Sequence, residues 1–455
     1  MTTFTIWSRE RAQTDAAVRP VTPVPQKPNA TATARPVVYW ALVVFAWLYY
    51  YRPEDFIPGL AYIPMAKVAG IIGLVALIGG LMSGGQQKIP RAIKFLWLLL
   101  IHLTLCIPFA MYRGGAFNTV FEKFSKGVIV AMLISMSVIT LRQLRKLLWI
   151  SVSAVALVTT ASILLGHSRA GRLSGIQKSI LENPNDLAIN IAINFPLAVV
   201  FLLHAKGFKK ALWAVAVFFM SVGIVLTYSR SGLLAFVLSV IICVWEYGIK
   251  GKRRYVVGVA LATFILGMGL ALSSSHYRAR VASIVMGNIE GSGDKGSLSA
   301  RKELLFKSIY LAVTHPVFGI GPSCFPLVDQ TWLVAHNTYT ELAAEAGIPA
   351  VILFLLSMWA SFKNVGEVRR SPPYEEDAEL RLFTQAIWAA LAAYMLGACF
   401  ASTEYNLYPY FMVGYSCAMV RIMSQPRGIG WGKTNQKAGK LSYDRIARIQ
   451  PVWSR

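Results

Sequence analysis

Long apolar runs, each closed by a short basic or polar stretch, recur along the chain from residue 37 to residue 423. A helix needs about 20 mainly apolar residues to cross a bilayer. Runs suited to this lie at roughly 37–51, 62–82, 93–111, 124–140, 147–166, 187–203, 212–228, 231–247, 255–272, 340–362, 384–401 and 407–423. The pattern predicts an all-α, polytopic integral membrane protein with about 12 transmembrane helices, since helices satisfy their own backbone hydrogen bonds where water is absent. The first run, VVYWALVVFAWLYYY, is short and flanked by prolines, yet its aromatic ends suit an interfacial anchor. Without it the count is eleven.

Two connections are long, 167–186 and 273–339. The second contains SLSARKELLFKSIYLAVTHP, with Leu305, Ile309 and Val313 at helical spacing, hydroxyl residues before the start and a His-Pro stop. This predicts an amphipathic helix from about Ser299 to Thr314, lying over the outer surface of the bundle. HPVFGIGPSCF then brings Gly319 and Gly321 around a turn. The tenth run opens with AHNTYTELAAEAGIP, where His336, Thr340, Ala343 and Gly347 share one expected helical face and Glu341 and Glu345 another. Both glutamates fall in the first turns, at headgroup depth, with no need for burial in hydrocarbon.

Composition agrees: 55% of the 455 residues are hydrophobic and 15% charged, which excludes an ordinary soluble domain. Lysine and arginine then set the expected orientation. They crowd the connections that face inward if the N-terminus is cytoplasmic: Lys88, Arg91 and Lys94; Arg142, Arg145 and Lys146; Lys206, Lys209 and Lys210; Lys250, Lys252, Arg253 and Arg254; Lys363, Arg369, Arg370 and Arg381. That asymmetry explains the net charge of +24 without nucleic acid, and a basic inner face attracts anionic membrane lipids. Residues 1–36, polar and rich in Pro, Thr and Ala, read as a disordered cytoplasmic tail. Residues 424–455 read as a basic cytoplasmic tail, with the bundle and its periplasmic loops occupying 37–423. Five scattered cysteines suggest no disulfide framework, and only Cys324 falls in an aqueous segment. No Walker loop and no Asp-x-Asp pair occurs, so neither a cofactor nor a metal is expected.

Several stretches together resemble one family. HNTYTELAAEAGIPAVILFLL is similar to the outer-face histidine motif of the O-antigen ligase and O-antigen polymerase family, and LTYSRSGLLAFVLSV resembles its Ser-Arg-small motif between two spans. ENPNDLAINIAINFPLAVV and HPVFGIGPSCF match further family stretches in the same order, over roughly residues 165–425. The resemblance implies a glycosyltransferase of the bacterial inner membrane; the lysine and arginine placement gives a multi-pass protein with both termini cytoplasmic. It would move a glycan from undecaprenyl diphosphate to a glycan or lipid acceptor such as lipid A core at the periplasmic face, by direct displacement with inversion. A polymerase extending a lipid-linked glycan uses the same donor chemistry and remains the alternative.

The residues suit that chemistry. Breaking the anomeric carbon–oxygen bond leaves a lipid diphosphate, whose growing charge needs fixed cations, and an arginine fork binds phosphate in bidentate fashion. Arg230 in the hairpin TYSRSG and Arg301 at the expected start of the loop helix are the candidates, alongside His336 as general base. Arg172, Asn183, Asn185, Asn337, Glu341 and Glu345 are candidate substrate ligands, the last three also able to orient the histidine ring. Each has a plainer reading. His336 could be an interfacial histidine, Arg230 a snorkelling one, Arg301 part of a solvated helix face, and Asn-Pro-Asn-Asp a turn. A lipid-linked glycan transporter is the rival class; such proteins place ionisable groups near the midplane, whereas here the polar residues gather at the outer rim.

Overall fold

The computed structural model describes residues 36–53, 65–82, 88–169, 171–175, 181–253, 294–328 and 333–425, with Gly258 and Gly269. Apart from Pro36, Gly258, Gly269, Ser424 and Gln425, the two expected tails, the expected span 255–272 and the first part of the long loop lie outside the described residues. Every other predicted run falls on a helix. In chain order these are α1 (Pro36–Tyr51), α2 (Met65–Met82), α3 (Arg91–Cys106), α4 (Arg113–Asn118), α5 (Ser125–Ser137), α6 (Leu141–Leu164), α7 (Pro184–His204), α8 (Phe208–Leu226) and α9 (Arg230–Cys243). After them come α10 (Asp294–Thr314), α11 (Thr338–Arg369), α12 (Pro372–Glu376), α13 (Ala378–Ala398) and α14 (Tyr408–Met423). Among the described residues, 7 helices are long and apolar enough to cross a membrane. The chain is an all-α polytopic membrane protein.

Where hydropathy mislaid a boundary, local chemistry set it. The run expected at 147 begins at Leu141, because Thr140 and Gln143 form a capping box: the Thr140 hydroxyl accepts from the Gln143 N–H and the Gln143 side chain accepts from the Thr140 N–H. Arg142, Arg145 and Lys146 break the apolar run there without breaking the helix. The α7 helix stays continuous through Pro196. Proline removes an N–H and orphans a carbonyl one turn earlier, and Ser239 on α9 donates to that carbonyl, Ala192 O, at 2.7 Å.

The largest departure is in α11. It is two helical pieces joined at Gly347, whose φ of 78° and ψ of 172° belong to a backbone region open essentially to glycine alone. A Cβ at this position would also meet the Val317 carbonyl oxygen at 2.3 Å. Breaking a helix strands backbone groups, and here each finds a partner. Ala344 O accepts from Ile320 N–H, Glu345 O from Gly321 N–H, and Ile348 N–H donates to Pro316 O, all within 2.9 Å. Ala346 O accepts from His102 Nε2 of α3 at 2.8 Å. The turn segment 316–321, with Gly319 and Gly321 at positive φ, is thus laid into the kink and carries the long loop back onto the bundle. His102 holds the break closed.

Helix α10 starts five residues before the expected Ser299. Its buried side is Leu304, Ser308, Leu311 and Ala312, while Ile309 and Val313 of the expected apolar stripe are exposed with Phe306 and Tyr310. The spacing was right and the packed face was displaced by about one residue. Cys324 is also fully buried, under the turn that follows, and burial pushes its thiol up. All five cysteines are free.

Candidate active site

Four segments meet at one end of the bundle. A two-residue hairpin pairs Ser168–Arg169 with Arg172–Leu173 in antiparallel register, turning through Gly171 at φ 70°. This aims Arg172 across the bundle: its Nε donates to Thr227 O at 2.9 Å and its Nη2 to Asn185 Oδ1 at 2.7 Å. Thr227 lies in the tight turn between α8 and α9, as expected for TYSRSG. There Tyr228 has φ 48° and Ser229 caps α9 by accepting from Gly232 N–H. The Ser229 hydroxyl also donates to Asn185 Oδ1 at 3.0 Å. Arg172, Asn185 and the Ser229–Arg230 turn therefore form one hydrogen-bonded unit. Arg230, half-buried, is the first residue of α9 behind it.

His336 is not on a helix face, in contrast to the expectation. Asn337 caps α11, its Oδ1 accepting from Tyr339 N–H and Thr340 N–H, so His336 precedes the helix and sits at φ 56° in the left-handed region. For a non-glycine residue that conformation costs on the order of 1–3 kcal/mol and persists only where surroundings enforce it. The enforcement is visible. The His336 N–H donates to Ser402 Oγ at 3.1 Å, and Ser402 donates in a very short hydrogen bond to Glu341 Oε2, which also accepts from Ala335 N–H at 2.8 Å. The backbone leading into the residue is held by one carboxylate, directly at Ala335 and through Ser402 at His336.

The ring carries no hydrogen bond among the described residues and lies in the field of two guanidinium groups. Burial first, then the charges of Arg301 and Arg172, push its pKa down to about 4. At neutral pH the imidazole is uncharged, with a lone pair to accept a proton. Arg301 reaches this place from inside α10, two turns past its start at Asp294, so it is a side-chain cation and not a helix N-terminus. The serines read as a start signal are tolerated within the helix.

The remaining candidates are engaged in the frame. Asn183 caps α7 through the Asn185 N–H, and Asn337 Nδ2 donates to Cys399 O. Glu345 is fully buried, in contrast to the expected headgroup exposure: its carboxylate accepts from Phe325 N–H, Ser323 N–H and the Tyr405 hydroxyl, all within 2.9 Å. Glu341 is 3% exposed. Together they tie the turn after α10 and the 402–406 connection to the start of α11.

That connection, Ser402-Thr403-Glu404-Tyr405-Asn406, escaped the sequence reading. Glu404 is buried, one of its oxygens has no hydrogen-bond partner among the described residues, and burial together with Glu341 and Glu345 holds it well above the usual carboxylate range. Asn406 donates to Asp186 Oδ1 at 3.3 Å and joins this side to the start of α7. A run of five polar residues between two apolar spans was the available signal. Among the described residues no group of His, Cys, Asp and Glu is arranged to hold a metal ion.

Removing the Ser402 hydroxyl tests the clamp. Ser402→Ala loses one hydrogen bond to strained backbone, worth about 1 kcal/mol, so kcat is expected to fall about fivefold to tenfold with KM unchanged and Ser402→Thr restoring most of it. A change confined to KM would show that the clamp serves binding instead.

Residues 215–355 match the family model described as O-antigen ligase. The matched span holds Arg230, Arg301 and His336, while Arg172 and Ser402 stand outside it. A solved structure titled "Structural coordination of polymerization and crosslinking by a peptidoglycan synthase complex" contains a chain similar at 15% identity, with a TM-score of 0.43, covering 73% of this chain and 98% of that one. No curated protein matches. The similarity to the O-antigen ligase family model thus covers residues 215–355 of this polytopic membrane protein, the stretch that contains Arg230, Arg301 and His336.

Proposed function

We propose that the chain is a ligase-like, metal-independent glycosyltransferase that moves a glycan from undecaprenyl diphosphate to a lipid or glycan acceptor, lipid A core or similar, at the periplasmic face of the inner membrane. The observation that carries this reading is the convergence on His336 of two guanidinium groups from separate segments, Arg301 and Arg172, whose charges both act on its ring. Arg301 and Arg172 hold the donor's diphosphate, with Arg230 as a third cation from the adjoining turn. The acceptor hydroxyl gives its proton to His336 and its oxygen attacks the anomeric carbon. As that bond forms, the carbon–oxygen bond to phosphate breaks on the opposite side, and its electron pair leaves with the diphosphate. The anomeric centre inverts.

The same geometry times the base. Without donor, the two arginines suppress the basicity of His336. A bound diphosphate offsets their charge, so the ring becomes the stronger base when a substrate is present. Asn185, already bonded to Arg172 and Ser229, fixes the cation's direction, while Asn183, Asn337, Glu341 and Glu345 keep the frame.

The test is a product assay. Purified protein is incubated with an undecaprenyl-diphosphate glycan and either lipid A core or a second lipid-linked glycan, and products are weighed by mass spectrometry. A core-linked glycan is expected. Extension of the lipid-linked chain alone would make the protein a polymerase, and movement of intact donor between leaflets without a new glycosidic bond would make it a transporter.

A further inference from the structure

A cavity of about 540 Å³ opens at the far end of the same helices, lined by the first turns of α6 and α8, the last turn of α7 and one face of α1. Helix α7 carries Asn185 at one end and the lining residue His204 at the other, about 28 Å away at 1.5 Å per residue. This is close to the thickness of a bilayer's hydrocarbon core. The cavity and the His336 site therefore belong to opposite membrane faces, and the basic connections place the cavity on the expected cytoplasmic side.

Its walls are of two kinds. Arg142, Lys146 and Lys209 stand at the rim, exposed, and among the described residues no carboxylate pairs with any of them. A fourth cation, Arg145, is already neutralised by Glu379 at 2.7 Å. Between the cations lie indoles. Trp40 and Trp149 are exposed to the surroundings, Trp213 is buried and stacks on Phe201 at 4.8 Å, and Lys146 Nζ sits 4.0 Å above the Trp40 ring. Among the described residues no carboxylate lines the cavity. Like charges gathered around an apolar hollow at interface depth repel one another unless an anion joins them.

We propose that this cavity is a binding site for an anionic phospholipid of the inner leaflet. The phosphate sits among Arg142, Lys146 and Lys209, and the first carbons of its chains lie along Trp40 and Trp149. Basic pockets between transmembrane helices bind such headgroups. This is a built site, distinct from the general attraction of a basic face, and it does not depend on the reaction catalysed at the other end.

The experiment uses the full chain, delipidated in mild detergent and titrated with phosphatidylglycerol or with phosphatidylcholine of the same chains, bound lipid being read by native mass spectrometry. Phosphatidylglycerol is expected to bind at least about fivefold more tightly. Arg142→Gln/Lys146→Gln/Lys209→Gln should lose that preference, whereas Lys206→Gln/Lys210→Gln, which removes two neighbouring charges that do not line the cavity, should keep it. All the substituted side chains are exposed, so folding is not at stake. Equal binding of the two lipids, or equal loss in both variants, would overturn the site. Displacement by millimolar inorganic phosphate would show that the occupant is a free anion and overturn the lipid assignment.

Discussion

Replacing His336 is expected to lower glycan transfer by about 10²- to 10⁴-fold, the range associated with a positioned general base. The informative variant is His336→Asn. Asparagine tolerates the left-handed backbone that position 336 adopts, so this protein should insert and melt like the wild type while losing turnover; His336→Ala adds backbone strain to the same loss. Transfer at the wild-type rate by His336→Asn would remove the residue from the mechanism. The pH profile gives a second check. A base works deprotonated, and the free ring titrates at about 4, so kcat/KM should hold as pH falls through 6.5, where an ordinary histidine protonates, and decline only on approach to 4. Bound diphosphate offsets the arginine field, so the acid limb of kcat should lie at higher pH than that of kcat/KM. Coincident limbs at 6.5 would mean that the arginines do not act on the ring.

Arg172→Gln is expected to cost about 10²- to 10³-fold in kcat/KM, as when one preorganised donor to a developing anion is removed. It should also move the acid limb of kcat/KM upward, because taking away a positive neighbour makes protonation of His336 easier. Arg172→Lys keeps the charge but not the fork that spans Thr227 O and Asn185 Oδ1, so it should restore the pH limb while recovering only part of the rate. Arg301→Gln should shift the limb in the same direction, Arg301 being the larger of the two charge effects on the ring. A rate loss in Arg172→Gln with an unmoved limb would reduce Arg172 to a strut between the hairpin and α7.

Arg172 shows how far the one-dimensional reading reached. It stood in a loop with no periodic pattern, and its importance comes from Asn185, Thr227 and His336, which lie in other segments. Glu341 and Glu345 show the reverse. Their spacing and proximity to a glycine were plain in the chain, but whether a carboxylate at the start of a span faces water or a buried loop depends on what packs there. The kink at Gly347 admitted the 316–321 segment, and the N–H groups of Ser323 and Phe325 just after it claimed the Glu345 carboxylate.

What the sequence determined by itself was everything set by length and local chemistry: the membrane as solvent, the helical runs that avoid exposed backbone within it, the tight turn before Arg230, and the histidine and arginine types that suit phosphate and proton transfer. Tertiary structure decided which of these meet. Three chain-distant segments bring Arg172, Arg301 and His336 into one electrostatic neighbourhood, a serine from a fourth holds the histidine backbone, and five rim cations and indoles close around a hollow at the other end. Such convergence is a property of packing between helices, where contact depends on side chains far apart in the chain, so no local pattern encodes it.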